Sequence, residues 1–323
     1  MSLLTFLGDH YEQGDDMNNA RIMATGLQFP EGPIAMADGS VIVVEIKPGN
    51  ITRCYPDGTK VVVAHVGGGP NGAAIGPDGK LYVCNNGGFM WREVEGFTAP
   101  HGTPSEYVSG SIQRVDIDTG AVETLYDSCD GHILCGPNDI VFDAHGGFYF
   151  TDLGKGRDRD SDHAGLYYAK ADGSFITNCV YPLNRANGVS LAPGDTHVYV
   201  AETTSARLWG WEIESPGVLK PGTTKFSPGT LVYGFDGYQL LDSMATDGDG
   251  NICVATLMKS CISVVSPQGK LIEQISLPEY DPYITNICFG GSDLRTAYVT
   301  SSGLGVLYEM DWPRPGLKLH FNA

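Results

Sequence analysis

Short runs of apolar residues alternate with polar turns along almost the whole chain. The runs are rich in Val, Ile, Phe and Tyr and are separated by Gly, Pro, Asp and Asn, which is the pattern of β-strands joined by tight turns. In PNDIVFDAHGGFYFTD, residues 137–152, two such runs flank a Gly146-Gly147 turn. No segment shows a long apolar repeat with a period of 3.6 residues, so the pattern disfavours a helical solenoid or a βαβ fold.

This unit of strand, turn and strand recurs six times. The six units begin at residues 31, 71, 138, 187, 242 and 286. They are spaced about 50 residues apart, which is typical of four-stranded propeller blades. Further hairpins with Pro-Asp-Gly, Asp-Gly or similar turns lie between the units, at 51–65, 111–126, 166–180 and 261–276. Each repeat therefore supplies four strands.

The repeat predicts an all-β fold, a six-bladed β-propeller with four-stranded antiparallel blades around a central channel. We expect residues 1–323 to form a single domain, with about 20 N-terminal residues as an extension. Residues 21–25 are expected to supply a strand that closes the ring against the C-terminal segment GLKLHF, residues 316–321.

The first residue of each unit is polar, although it opens a strand that should be buried. These residues are Glu31, Asn71, Asn138, Asn187, Asp242 and Asn286. An Asn-Gly pair by itself also suits a turn, but Glu31 is a poor turn former. Propeller symmetry would bring all six side chains to one end of the channel. Such a ring of carboxylate and amide oxygens is the ligand set that calcium prefers, and magnesium or manganese less often.

Charge limits the partners of this chain. It has 38 acidic and 20 basic residues, a formal net charge of −18. Such a field repels phosphate backbones and anionic lipid, so neither nucleic acid nor a membrane is an expected partner. No apolar run approaches the roughly 18 residues that span a bilayer, and the N-terminus lacks the pattern of an export signal. We therefore expect a cytoplasmic protein, of an oligomeric state that the sequence does not indicate.

Four motifs carry a resemblance to a known family. They are Phe29-Pro30-Glu31-Gly32-Pro33, Gly136-Pro137-Asn138-Asp139, Ala186-Asn187-Gly188-Val189 and Asp242-Ser243-Met244-Ala245-Thr246-Asp247. In order and spacing, the chain resembles the senescence-marker protein 30 (regucalcin), gluconolactonase and luciferin-regenerating-enzyme family over residues 20–310. Members of that family are six-bladed propellers with one divalent cation, usually calcium, in the channel, and they commonly hydrolyse sugar lactones.

The resemblance implies a role for each residue of the ring. Glu31, Asn187 and Asp242 would bind the cation, with Asn138 as a fourth ligand or a substrate contact. Asn71 and Asn286 would hold water molecules at the cation or orient the substrate. Calcium is the expected cation, with manganese, magnesium and zinc as alternatives. The cation would polarise a lactone carbonyl and stabilise the oxyanion formed when water attacks, and Asp242 would accept the proton of that water.

The expected substrate contacts depart from the family at one position. In some sugar-lactonase relatives an arginine stands two residues before the equivalent of Asn138, where this chain has Gly136. Arg185 is an alternative cation from the neighbouring repeat, unless it is a surface residue. The aromatic insertion at 87–110 is expected to form a pocket wall that includes Trp91 and His101, with an outer-edge excursion or an oligomer contact as alternatives.

The favoured function is that of a divalent-metal-dependent hydrolase, a lactonase acting on a sugar lactone or a related small lactone. Organophosphate hydrolysis, as in the similar diisopropylfluorophosphatase propeller, stays open because the same cation can polarise a P=O bond. A non-catalytic calcium-binding propeller also stays open. The sequence has no G-x-S-x-G or H-E-x-x-H motif for a serine or zinc hydrolase.

Overall fold

Six antiparallel sheets stand around a central channel in the computed structural model, which describes residues 20–321. Five sheets have four strands and one has five. This architecture confirms the predicted all-β, six-bladed propeller. The predicted N-terminal extension lies almost entirely outside the described residues.

The first three blades follow one another from the N-terminal side. After β1 (Arg21–Ala24), the first blade consists of β2 (Pro30–Ala35), β3 (Val41–Glu45), β4 (Asn50–Cys54) and β5 (Lys60–His65). The second consists of β6 (Pro70–Ile75), β7 (Leu81–Asn85), β10 (Ser111–Val115) and β11 (Val122–Tyr126), with an inserted hairpin of β8 (Trp91–Val94) and β9 (Phe97–Pro100). The short hairpin of β12 (Ser128–Cys129) and β13 (His132–Ile133) precedes the third blade, which consists of β14 (Pro137–Phe142), β15 (Gly147–Asp152), β16 (Ala164–Lys170) and β17 (Ile176–Leu183).

The last three blades complete the ring. The fourth consists of β18 (Ala186–Leu191), β19 (His197–Glu202), β20 (Arg207–Ser215), β21 (Val218–Leu219) and β22 (Thr230–Gly234). The fifth consists of β23 (Leu240–Thr246), β24 (Ile252–Leu257), β25 (Cys261–Val265) and β26 (Leu271–Ser276). The sixth consists of β27 (Ile284–Gly290), β28 (Thr296–Ser301), β29 (Val306–Asp311) and β1. Within residues 20–321, no helix is long and apolar enough to cross a membrane.

The hydrophobic core is divided among the six interfaces between neighbouring blades. In β3, Val41 and Val43 pack against the sixth blade, whereas Ile42 and Val44 pack against the second. Successive strand residues point to opposite faces, and each blade is covered on both faces. The second strands are therefore apolar at almost every position, which explains why they read as continuous apolar runs and not as an alternating pattern.

The ring is closed by an N-terminal strand, as expected, but its partner differs from the expected one. Arg21 of β1 lies opposite Glu309 of β29, and the guanidinium Nε donates to the Glu309 carboxylate at 3.0 Å. The segment 316–321 does not pair with β1. In the sixth blade, β29 is a strand of regular length, and its free edge pairs with β1.

The C-terminal segment instead covers one end of the channel. Leu317 and Leu319 line a small cavity between the innermost strands of all six blades. Arg314 anchors this segment, because its Nε donates at 2.9 Å to the fully buried carboxylate of Asp247. Five of the six polar residues that open the innermost strands line the cavity at the other end of the channel, which is left open.

Glycine follows the polar residue in several innermost strands because neighbouring strands approach closely there. A Cβ on Gly72 would lie 2.5 Å from the carbonyl oxygen of Asn138, and one on Gly188 would lie 2.7 Å from that of Asp242. Both Asn-Gly pairs lie within strands, in β6 and β18. Their glycines therefore permit close approach and are not turn residues.

We expect Gly72→Ala to lower the free energy of unfolding by about 1–3 kcal/mol, because the backbone oxygen that meets the new methyl group cannot move independently of its strand. Gly234→Ala is the matched control, since nothing lies within 4 Å of a Cβ at that position; it should change the free energy of unfolding by less than about 0.5 kcal/mol. Urea denaturation measures both. Equal stability of the two variants would contradict the close approach.

Candidate active site at the open end of the channel

A cavity of about 870 Å³ occupies the open end of the channel. Most of the residues predicted from the sequence for the site line it together: Glu31, Asn71, His101, Asn138, Arg185, Asn187 and Asp242. Each of the five ring residues in this set comes from the start of the innermost strand of a different blade. The repeat therefore brings residues far apart in sequence to one point.

Three side-chain oxygens of the ring are buried without a hydrogen-bond partner. They are Oε1 of Glu31 and Oδ1 of Asn71 and of Asn138, and none accepts a hydrogen bond from any residue in 20–321. Leaving a buried acceptor unpaired costs about 1–3 kcal/mol, so each such group in a folded protein needs an explanation. A cation ligated by oxygen would satisfy all three, because hard cations take carboxylate and amide oxygens.

Glu31 is held in a fixed orientation. Its Oε2 accepts hydrogen bonds from the backbone N–H of Gly32 at 2.6 Å and from Nδ2 of Asn286 at 2.7 Å. Oε1 is thereby left free to face the cavity. Asn286, expected to contact substrate or water, does not line the cavity; its Oδ1 accepts from the N–H of Ile287 at 2.7 Å, so its amide serves to orient Glu31.

Asp242 stands in the fifth blade beside Asn187 of the fourth. The N–H of Ser243 donates to Asp242 Oδ1 at 3.1 Å, and the Asn187 side chain also donates to this carboxylate. Asn187 Nδ2 lies 3.2 Å from the hydroxyl oxygen of Thr203, a cavity residue that the sequence did not reveal. Asp242 is thus fixed while it stays partly exposed to the cavity.

The two ring carboxyls, Glu31 and Asp242, and the neighbouring buried carboxyl of Asp139 repel one another. Burial raises the pKa of Glu31 to about 7, against the opposing hydrogen bonds from Asn286 and Gly32. Burial, and then repulsion by Glu31, raise the pKa of Asp139 to about 8 and that of Asp242 well above its usual value. A divalent cation would stabilise the ionised forms. No group of three His, Cys, Asp or Glu in residues 20–321 is placed to hold a metal, so the asparagine oxygens would have to complete the donor set.

The insertion at 87–110 lines the cavity, which confirms that it forms a pocket wall. Phe89 and Met90 contribute to the lining on one side. The hairpin of β8 and β9 reaches across to the sixth blade, where the N–H of Thr98 donates to the carbonyl of Gly303 at 3.0 Å. The ammonium of Lys155, from the third blade, lies 4.3 Å from the ring centre of Phe89. The wall is therefore tied to the blades on both sides.

The two predicted contacts in the insertion differ in position. His101 lines the cavity, but Trp91 does not. The ring centroid of Trp91 lies 5.0 Å from that of Phe29, which does line the cavity together with Tyr283. Trp91 therefore packs behind the aromatic wall of the cavity and does not itself line the cavity.

A second repeated polar position, which the predictions from sequence do not include, holds the ring in place. The last residue of the second strand accepts a backbone N–H from the segment that leads into the innermost strand of its own blade. These bonds are Gln28 to Glu45 at 2.7 Å, Gly69 to Asn85 at 2.9 Å, Gly136 to Asp152 at 2.7 Å and Asn184 to Glu202 at 2.7 Å. The signal was present, because the aligned repeats end in Glu, Asn, Asp and Glu.

The chain is similar to known lactonases in sequence. It is 30% identical to lactonase drp35 of Staphylococcus haemolyticus over 263 residues, which is 81% of this chain and 73% of the relative. It is 25% identical to a gluconolactonase of Zymomonas mobilis, over 87% of this chain and 78% of the relative.

Solved structures share the fold. A gluconolactonase from Xanthomonas campestris has a TM-score of 0.70 at 20% identity, over 91% of this chain and 89% of that one. Regucalcin from Agrobacterium tumefaciens, described as a calcium-binding protein, has a TM-score of 0.72 at 16% identity, over 94% of this chain and 97% of that one. The family model described as SMP-30/Gluconolactonase/LRE-like region matches residues 29–303. The chain therefore belongs to the SMP-30/gluconolactonase/LRE-like family.

Proposed function

We propose that this protein is a lactonase that depends on a divalent cation, with calcium as the preferred ion and Glu31, Asn138, Asn187 and Asp242 as its ligands. The observation that carries the proposal is the set of buried, unpartnered oxygens that face one cavity beside the Asp242 carboxylate. The names of the relatives, lactonase and gluconolactonase, support the reaction class. Asn71, whose oxygen is unpartnered like that of Asn138, is a further candidate ligand.

A divalent cation bound in this ring would polarise the lactone carbonyl and lower the pKa of a water molecule. Asp242 accepts a proton from the attacking water, since it is the ring carboxylate that stays partly exposed to the cavity. The water oxygen then bonds to the carbonyl carbon, and the bond from that carbon to the ring oxygen breaks. The proton passes to the departing ring oxygen, so the product is a hydroxy acid. Glu31, held by Asn286 and Gly32, keeps its charge in a fixed position.

The cavity suits a small cyclic ester. Its volume of about 870 Å³ lies within the range of small-molecule sites. Phe29 and Tyr283 give it an apolar side, and their ring centroids lie 5.7 Å apart. The unpartnered oxygens of Glu31, Asn71 and Asn138 also line it. A lactone can therefore lie with its carbonyl at the ring and its carbon skeleton against the aromatic wall.

We expect hydrolysis of at least one lactone in a panel of gluconolactone, xylonolactone, galactonolactone, valerolactone and dihydrocoumarin, followed by pH-stat titration. EDTA should abolish turnover, and calcium should restore it. Diisopropylfluorophosphate, assayed in parallel, tests for organophosphate hydrolysis. Faster turnover of this compound than of any lactone would contradict the lactonase proposal and indicate an organophosphate hydrolase. Calcium binding without turnover of any compound would indicate a non-catalytic propeller.

A further inference from the structure

Arg185 lines the cavity, yet its charge is unpaired. It lies between β17 and β18 and is half-buried. Its Nη1 lies 3.8 Å from where a Cβ of Gly156 would stand, so the guanidinium reaches the wall that the third blade forms. Within residues 20–321 this guanidinium makes no ion pair or hydrogen bond. A partly buried arginine usually pairs with a carboxylate or another hydrogen-bond acceptor. The guanidinium of Arg185 is therefore available to bind a ligand in the cavity.

The carboxylate nearest in effect to Arg185, that of Asp162, already accepts hydrogen bonds from two other residues. Asp162 attracts Arg185 electrostatically, but its Oδ1 accepts from Nη2 of Arg157 at 2.8 Å. Its Oδ2 accepts from the N–H of Lys155 at 3.1 Å. Arg159 also lines the cavity. Among residues 20–321, Asp158 is the only carboxylate in the lining outside the ring. In a chain with a net charge of −18, a cationic wall of this kind is a local exception.

Arg185 faces an aromatic residue across the channel. Arg185 and Phe29 each stand two residues before the ring residue of their blade, and both have left-handed backbone, with φ of 56° and 58°. They belong to the fourth and first of six blades, which lie opposite each other. The equivalent residues of the second and third blades are Gly69 and Gly136, which add no side chain. The layer above the ring therefore has one cationic side and one aromatic side.

We propose that Arg185 is a specificity residue, and that the substrate is a lactone bearing a carboxylate substituent. This inference rests on the proposed lactonase function. When the lactone carbonyl lies at the ring of polar residues, a carboxylate on the far side of the substrate reaches the guanidinium of Arg185. The planar guanidinium can donate a hydrogen bond to each of the two carboxylate oxygens. The face of the lactone ring lies toward Phe29. A neutral sugar lactone would leave the guanidinium without its charge partner.

The test compares glucaro-1,4-lactone with glucono-1,4-lactone, which differ only in a carboxylate against a hydroxymethyl group. We expect kcat/KM for the carboxylate lactone to be about 10- to 100-fold higher, as for hydrogen bonds to charged groups. In Arg185→Gln this ratio should fall to near one, while Arg185→Lys should keep part of it because the charge is retained. Arg207→Gln, at an exposed arginine of β20, is the matched control and should keep the full ratio.

Equal kcat/KM for the two lactones, or a preference that survives in Arg185→Gln, would overturn the inference. Faster hydrolysis of 6-phosphogluconolactone than of the carboxylate lactone would also overturn it and assign a phosphate instead. If no lactone is hydrolysed, the proposed function fails, and calorimetry with glucarate and gluconate tests the subsite separately. Tighter binding of the dianion that depends on Arg185 would support the anion subsite, and equal binding would refute it.

Discussion

Asp242→Asn is expected to lower kcat/KM for the best lactone by about 10³-fold, the range for loss of a general base. The substitution keeps the size of the side chain and the hydrogen bond from the Ser243 N–H, so the innermost strand is not disturbed. It removes both the negative charge and the group that accepts the proton. The assay is run at saturating calcium, so that weaker binding of the cation does not account for the loss.

Asp158→Asn is the control for this prediction. It removes the same charge from the rim of the same cavity, at an exposed position outside the ring. Its kcat/KM should stay within a few-fold of the wild-type value. If Asp242→Asn recovers wild-type turnover at high calcium, Asp242 is a ligand and not the base, and the proposed proton transfer must be assigned to another group.

Calcium is expected to stabilise the fold strongly. A ligand at a thousand times its Kd stabilises the folded state by about 4 kcal/mol, so the Tm should rise by several degrees between EDTA-treated and calcium-loaded protein. The physical reason is that Glu31, Asp139 and Asp242 repel one another where they are buried. A cation bound between these carboxylates would attract each of them and so offset their mutual repulsion.

Glu31→Gln separates this effect from non-specific binding of calcium to an acidic protein. The variant should lose the calcium response, and its metal-free Tm should not fall, because one of the repelling charges has been removed. Glu309→Gln, in the exposed ion pair with Arg21, should keep the full calcium response. A Tm that is insensitive to calcium in the wild-type protein would mean that the ring is not a cation site.

The repeat in the sequence predicted the fold and the position of the ring because both follow from local rules. Each blade has the same alternation of turns and apolar strands, so the polar residues at the same position of every repeat lie close together at the channel. Asn71 and Asn138 could be placed in this way. The structure also explains Gly72, for which an Asn-Gly turn was an alternative reading of the sequence: it allows two strands to pack at close range.

Other features depend on contacts between segments that no repeat encodes. The direction of Asn286, turned toward Glu31, depends on a hydrogen bond across a blade interface. Trp91 lies behind Phe29 because the inserted hairpin crosses to another blade. The segment 316–321 covers the far end of the channel because Leu317 and Leu319 fit the gap between the innermost strands. Packing of this kind could not be derived from local patterns.

If the ring holds one divalent cation, manganese should replace calcium there and can be located by its anomalous scattering. In crystals grown with manganese and measured with X-rays near the manganese absorption edge, we expect a single strong anomalous peak within about 2.6 Å of carboxylate oxygens of Glu31 and Asp242 and of amide oxygens of neighbouring asparagines. A map without a peak in the ring, or with peaks only at surface aspartates such as those of residues 158–162, would contradict it.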